Sequence, residues 1–405
     1  MLTVLHFADA HIDIAGHGRH DPLTGLPLRV LDFLNALDRI VDTAIDERVD
    51  LVLFAGDAYK DRTPSPTYQR EWGRRIIRLS QAGITTLLLV GNHDLSPAAG
   101  RANALQEFDT LQVPHVHVLN KPAFLGPAEL DGLPLQVLAI PWITPSALMA
   151  ELGLSGIDQE KIDAEINDRL SHLVNDWLDL ADPRLPTILT AHGSVQGATF
   201  GSEQHVRLGK DLLLAGGLVR DHRLDYVALG HIHKAQNLNE GSHPPIVYSG
   251  SIERVDFGEV NEEKSFVIAR IERGKTNIER RILPARKFFD KYLSLKSSDN
   301  VSEQLISALP PLEKIKDAIV RLTVEYPRDY EPFIDEIVVR NYAEAAFEFH
   351  LVRRPKVQAR VRLPHNDLIA SLTPLELLEK YLEVTISPPS DFDVFLDLAK
   401  ELIEQ

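Results

Sequence analysis

Short apolar runs alternate with longer periodic stretches along the first hundred residues. Residues 2–8 (LTVLHFA) form a strand-like run that stops at Asp9, and residues 28–46 place Val30, Leu34, Leu37, Val41 and Ile45 at helical spacing. DLVLFAGD reads as a buried strand ending at Asp57. Tyr68, Trp72, Ile76 and Leu79 mark a second helix that Gly83 can terminate, and TTLLLVGNHD is a third strand ending at Asn92 and His93. The order β, α, β, α, β predicts an α/β fold with a parallel sheet covered by helices. In such folds functional groups gather where strands leave the sheet at their carboxyl ends.

The pattern then becomes mixed. LQVLAIPWI is strand-like, whereas Ile162, Ile166, Leu170, Val174 and Trp177 fit a helix with its charged residues outward. Two further apolar runs stop at polar residues: PTILTAHG at His192, and LDYVALGHIH at His231 and His233. IVYSGSIERVDFGE and KSFVIARIE read as closing strands. From about Pro284 the segments KYLSLKS, 300–309, AIVRLTVEY and AAFEFHLVRR predict a small α+β module. The tail carries Leu375, Leu378 and Leu382, then Phe392, Phe395, Leu396, Ala399 and Leu402, which suggests two short helices separated by SPPSD. The expected domains are 1–283, 284–365 and 366–405.

Composition narrows the chemistry. A chain of 405 residues, 44% hydrophobic and 25% charged, is globular and long enough for more than one core. No run approaches the ~20 apolar residues needed to span a bilayer, and MLTVLHFADAH lacks a basic start. With no cysteine, any metal must be held by oxygen and imidazole, which suits a cytoplasmic protein. The net charge of -16 opposes binding of nucleic acid except through local basic patches or a partner.

Five polar pieces each follow an apolar strand: Asp9-Ala-His11, Gly-Asp57, Gly-Asn92-His93-Asp94, Ala-His192-Gly and Gly-His231-Ile-His233. A pair of divalent cations about 3.5–4 Å apart needs a bridging carboxylate and terminal nitrogen or oxygen donors, and this set supplies them. A lone histidine is more often a loop or core residue, and eleven of the sixteen histidines lie outside these pieces. Asp9 and Asp57 could instead cap helices, but neither precedes a helical pattern.

The order D-x-H, GD, GNHD, H, GHxH resembles the signature of calcineurin-like metallophosphoesterases over about residues 1–270. The resemblance implies a sandwich of two mixed β-sheets flanked by helices. It implies one metal held by Asp9, His11, Asp57 and His233, and a second held by Asp57, Asn92, His192 and His231, most simply two Mn²⁺ ions activating a water. His93 resembles the family's general acid, with Asp94 orienting it.

Within that family, GDAYKDRTPSP, GHIHK and YSGSIERVDFGE-x-x-EEKSF resemble the SbcD-type DNA repair nucleases, which pair with an SMC-like ATPase, SbcC. That implies duplex DNA as substrate, exonuclease or endonuclease action, a homodimer, a capping module, a helical tail docking on the ATPase, and a place beside the nucleoid. Some members carry a histidine three residues after the second aspartate; here the position is Lys60. Lys60 is a candidate DNA contact, as are Arg354, Lys356, Arg360 and Arg362, which alternate along a strand-like segment beside Arg353. Arg280 and Arg281, and Arg74, Arg75 and Arg78, form shorter basic groups. The rival readings are a metallophosphoesterase for small nucleotides or phosphoproteins, and a regulatory subunit that tethers DNA ends.

Overall fold

The computed structural model describes residues 1–14, 18–95, 101–143, 159–201 and 213–356, with Thr373, Leu375, Glu376, Leu378 and Glu379. The first elements are β1 (Leu2–Phe7), α1 (Leu28–Asp46), β2 (Leu51–Phe54), α2 (Pro66–Gln81), β3 (Thr85–Leu89), α3 (Gln106–Thr110) and β4 (Val116–Leu119). Next come β5 (Ala123–Leu125), β6 (Gln136–Ile140), α4 (Gln159–Leu180), β7 (Thr187–His192), β8 (Ser194–Val195), β9 (Leu213–Leu214) and α5 (Gly216–Val219). β10 (Tyr226–Gly230), β11 (Gln236–Asn237), β12 (Ile246–Tyr248), β13 (Ser265–Glu272) and β14 (Lys275–Ile282) follow.

These build two mixed six-stranded sheets, in the orders β14-β13-β1-β2-β3-β4 and β11-β12-β10-β7-β6-β5. The central strands β1 to β4 are parallel, and so are β6, β7, β10 and β12. Their runs are largely apolar because most of their positions are covered on both faces. In β2, Leu51 and Leu53 face the other sheet, while Val52 and Phe54 face the helical side. In β10, Tyr226 and Ala228 turn inward, and Val227 and Leu229 pack with Ile166, Leu170 and Val174 of α4. Each such side chain contributes roughly 1.5–3 kcal/mol through burial. Against the first sheet, α1 and α2 bury Phe33, Leu37, Trp72 and Ile76, and Trp72 lies with its ring centroid 4.9 Å from that of Phe54.

The chain divides into two compact units, Met1–Phe289 with Asp317–Ile319, and Asp290–Lys316 with the described residues from Val320 onward. The elements after β14 are β15 (Phe288–Ser294), α6 (Val301–Ala308), α7 (Leu312–Ile315), β16 (Ile319–Pro327), α8 (Glu336–Tyr342) and β17 (Glu348–Lys356). Their three-stranded sheet runs β15-β16-β17. Val320, Leu322, Val324, Leu305 and Val339 are among the buried residues of this module, and Asp335 caps α8 by accepting from the Ile337 and Val338 amides.

One expectation is corrected. IVYSGSIERVDFGE is a strand only over Ile246–Tyr248. At Gly250 the backbone turns with φ +76° and the chain leaves the sheet for a loop with a 3₁₀ turn at Phe257–Glu259, because its Ser and Glu side chains find buried polar partners there. KTNIERRI forms the edge strand β14. The predicted tail helices lie almost wholly outside the described residues. Among the described residues no helix is long and apolar enough to cross a membrane.

Candidate metal centre

β1, β2 and β3 of one sheet and β7 and β10 of the other end at the same rim, so five separate strands deliver Asp9 and His11, Asp57, Asn92 and His93, His192, and His231 and His233. The loops interlock through main-chain hydrogen bonds, with Asp9 N donating to the Gly56 carbonyl at 2.9 Å and Ala10 N to that of Asp57 at 2.8 Å. Asp9, His11, Asp57 and His231 all have positive φ, at 51°, 39°, 66° and 95°. Residues with a Cβ pay roughly 1–3 kcal/mol for such strain and keep it only where the surroundings enforce it, which is common at functional sites.

The side chains gather in two adjoining clusters, Asp9 with His11 and His233, and Asp57 with His192 and His231; within each, the ligand atoms lie within 4.8 Å of one another. Asp57 Oδ2 stands between them, 3.8 Å from His11 Nε2 and 3.4 Å from His192 Nε2. Asn92 Oδ1 lies 3.1 Å from both His192 Nε2 and His231 Nδ1. Asp9, His11, Asp57 and His192 are buried.

The imidazoles are turned by acceptors behind them. His11 Nδ1 faces the Tyr59 carbonyl at 3.2 Å, His192 Nδ1 that of Ala55 at 2.6 Å, and His233 Nδ1 the Glu259 carboxylate at 2.7 Å. Each Nδ1 therefore carries the proton in the neutral ring and each Nε2 presents a lone pair inward. His11 Nε2 and His233 Nε2 then face each other at 3.1 Å. Burial holds the His11 imidazole well below its usual value, so the His11 Nε2 keeps its lone pair. Two lone pairs converging beside buried carboxylates fit a cation, and the nitrogen and oxygen donor set without thiolate fits Mn²⁺, Fe²⁺ or Zn²⁺. Burial alone would lower His192, but Asp57 raises it to about 9, so a cation bound there displaces a proton.

Asp94 is placed differently from the expectation that it orients His93. Fully buried, its carboxylate accepts from the amides of Asp57, Ala58 and Gly91, each at 2.9 Å. It ties two ligand loops together through bonds of roughly 1.5–3 kcal/mol each. The imidazole of His93 is oriented instead by the Lys60 carbonyl, 2.8 Å from Nδ1, while the His93 amide donates to Asp57 Oδ1 at 2.8 Å. A main-chain carbonyl acts whatever the side chain, so this role of position 60 could not be read from its identity. Gly91 is required by close approach, since a Cβ there would sit 2.1 Å from Asp57 Oδ1.

Three further neighbours escaped the sequence reading. Trp142, at the carboxyl end of β6 on the same rim, lies with its ring centroid 5.1 Å from that of His231 and 6.2 Å from that of His192. Glu259 and Lys264 lie behind His233. Position at a strand end is the signal that could have found Trp142.

The predicted DNA contacts fare unequally. Lys60 is exposed beside the centre; Arg354 and Lys356 are exposed on one face of β17, with Lys356 3.3 Å from Glu325. Arg360 and Arg362 lie outside the described residues. Arg353 pairs with Glu336, and the shorter basic groups face carboxylates: Arg75 with Asp38 at 2.6 Å, Arg74 with Glu71 at 3.0 Å, Arg78 with Asp38 at 3.1 Å, Arg281 with Glu47 at 3.1 Å and Arg280 with Glu263 at 3.9 Å. Their charge is largely answered within the chain.

A family model described as calcineurin-like phosphoesterase matches residues 2–235. The chain is 30% identical over 280 residues to the SbcD subunit of nuclease SbcCD from Escherichia coli, an alignment covering 68% of this chain and 66% of that protein. It is 23% identical over 325 residues to the DNA double-strand break repair protein Mre11 of Methanosarcina acetivorans, covering 80% of this chain and 45% of that one. The chain thus spans just under two thirds of the first relative and less than half of the second. A dimetal phosphatase structure from Danio rerio aligns over 69% of this chain and 96% of its own, with a TM-score of 0.39 and 11% identity.

Proposed function

We propose, for a chain that belongs to the calcineurin-like phosphoesterase family, the activity of a metal-dependent DNA nuclease that hydrolyses phosphodiesters at duplex ends. The observation that carries this reading is the pair of adjoining clusters, Asp9 with His11 and His233 and Asp57 with His192 and His231, that meet at Asp57. Similarity to the SbcD subunit of nuclease SbcCD supports DNA as the substrate.

Asp9, His11, Asp57 and His233 would hold one cation and Asp57, Asn92, His192 and His231 the other, with Asp57 shared. Two divalent cations, Mn²⁺ by preference, would supply positive charge opposite the scissile phosphate and a water acidic enough to attack near neutral pH. The chain's own groups do the rest. His93, with Nδ1–H committed to the Lys60 carbonyl, acts as an imidazolium that passes its Nε2 proton to the leaving oxygen and is left neutral, protonated at Nδ1. Asp94 keeps the Asp57 and Gly91 loops in register. The Lys60 ammonium meets a backbone phosphate as a point charge.

In this reading residues 1–283 are the nuclease domain, 284–365 a capping module whose Arg354, Lys356, Arg360 and Arg362 follow the DNA backbone, and 366–405 a docking tail. The partner is an SMC-like ATPase of the SbcC type, the assembly a homodimer, and the setting DNA repair in the cytoplasm beside the nucleoid. The test is end-labelled duplex DNA incubated with the purified chain and Mn²⁺, beside Asp57→Asn and a metal-free control. Nucleotide release that requires Mn²⁺ and is lost in Asp57→Asn is expected. An intact duplex, with a simple phosphodiester still hydrolysed and no change on adding the ATPase, would replace DNA by a small nucleotide or phosphoprotein substrate.

A further inference from the structure

The segment 249–264 supplies no ligand in the assignment above, yet it packs against His233. Ser251 N donates to the His233 carbonyl at 3.1 Å, and a Cβ at Gly250 would come within 2.7 Å of that same oxygen. Behind the ring, Glu259 Oε1 stands 2.7 Å from Nδ1. The other oxygen, Oε2, accepts from the Val255 amide at 2.8 Å and faces the Lys264 ammonium at 2.8 Å. Lys264 Nζ also reaches Ser251 Oγ at 2.8 Å and Glu262 at 3.0 Å. Glu259 is wholly buried and Lys264 is 1% exposed. Lysine is almost never so buried unless paired, and replacing a buried ion pair by apolar residues is often neutral or stabilising, so the pair is weak as a pure stability device.

We infer that Glu259, held by Lys264, is a positioning residue for the metal centre, fixing the His233 proton on Nδ1 so that Nε2 remains a lone pair facing the cluster. This rests on the metal-centre reading above. A carboxylate can only accept, so the imidazole must donate through Nδ1. An amide in its place could not serve. Val255 N–H and Lys264 both donate to the Oε2 position, so the carbonyl of a glutamine must lie on that side and its NH₂ must turn toward His233 Nδ1. The ring then accepts at Nδ1 and carries its proton on Nε2, the atom that faces the cluster. The expected loss is local to one of the two cations.

Glu259→Gln tests this at nearly unchanged volume. Mn²⁺ titrated calorimetrically into metal-free parent and variant should show two sites in the parent, one of them about 10–100-fold weaker in Glu259→Gln and the other unchanged. The metal-free melting temperatures should agree closely. Both sites binding as in the parent would overturn the inference. Should the variant fail to fold, the ¹⁵N-histidine spectrum of the metal-free parent decides, with His233 assigned by its loss in His233→Gln: a neutral ring protonated at Nδ1 supports the assignment, and one protonated at Nε2 overturns it. A parent that binds no Mn²⁺ would sink the metal reading instead, while the tautomer still reports on Glu259.

Discussion

Acidification should destabilise this fold through a histidine that has no part in the chemistry. His6 occupies an inward position of β1 between Val4 and Ala8, with Nδ1 3.0 Å from the Tyr226 hydroxyl of the opposite sheet, and neither side chain is exposed. Burial lowers the imidazole from 6.5 to about 3. Between those values the unfolded chain takes up a proton that the folded chain refuses, so stability is intact above pH 6.5 and falls as pH drops toward 3. At about 1.36 kcal/mol per unit the full window is worth roughly 5 kcal/mol, and the part above about pH 5 roughly 2 kcal/mol. Set against the ~5–15 kcal/mol of a typical domain, that is a large fraction. Replacing both partners, His6→Leu with Tyr226→Phe, removes the titration without stranding a buried polar group. Urea unfolding of parent and double variant in EDTA, at about pH 7.5 and about pH 5, isolates the effect because all other groups are shared. The parent should lose about 2 kcal/mol more than the variant across that interval; equal losses would refute the reasoning.

Three further outcomes are expected. His93→Ala should slow hydrolysis of esters with poor leaving groups by about 10²–10⁴-fold, with calorimetric Mn²⁺ affinity unchanged, because its Nε2 serves the leaving oxygen. Gly91→Ala should abolish paired Mn²⁺ binding and lower the melting temperature, because the new Cβ would lie 2.1 Å from Asp57 Oδ1; wild-type calorimetry would contradict this. Lys60→Ala should weaken duplex binding and reduce its salt slope by about one, read from fluorescence titrations at several salt concentrations, while the hydrogen bond to His93 persists through the carbonyl.

The strands that carry the centre were legible because they are the sheets' interior. β1, β2, β3, β7 and β10 are parallel, buried on both faces, and end abruptly at polar residues, so an apolar run and its last letter locate both strand and ligand. β14 was not legible, since an edge strand with a wet face reads as KTNIERRI, without an apolar run. Residues 249–264 misled for the opposite reason: IVY begins as a strand, but Glu253, Glu259 and Lys264 behind it are buried charges, Glu253 paired with distant Arg29, Glu259 with distant His233 and with Lys264. Asp94 illustrates a third limit. Its neighbour in sequence is His93, yet two of its three bonds go to amides of a loop 36 and 37 positions away, which spacing cannot reveal.

The bond from His231 N to Asp9 closes a separation of 222 positions, and β1 pairs with β13, placing Leu2 opposite Ile271. During synthesis the amino-terminal third would emerge with its acidic ligands in hand and nothing to complete them. Only when the chain has run past β10 are His192, His231 and His233 present to complete the rim, and only past β13 does β1 gain its second neighbour. Slow, non-local pairing of this kind makes competence an all-or-none property of the finished domain. A nascent or prematurely terminated chain would hold a partial set of donors and no completed centre.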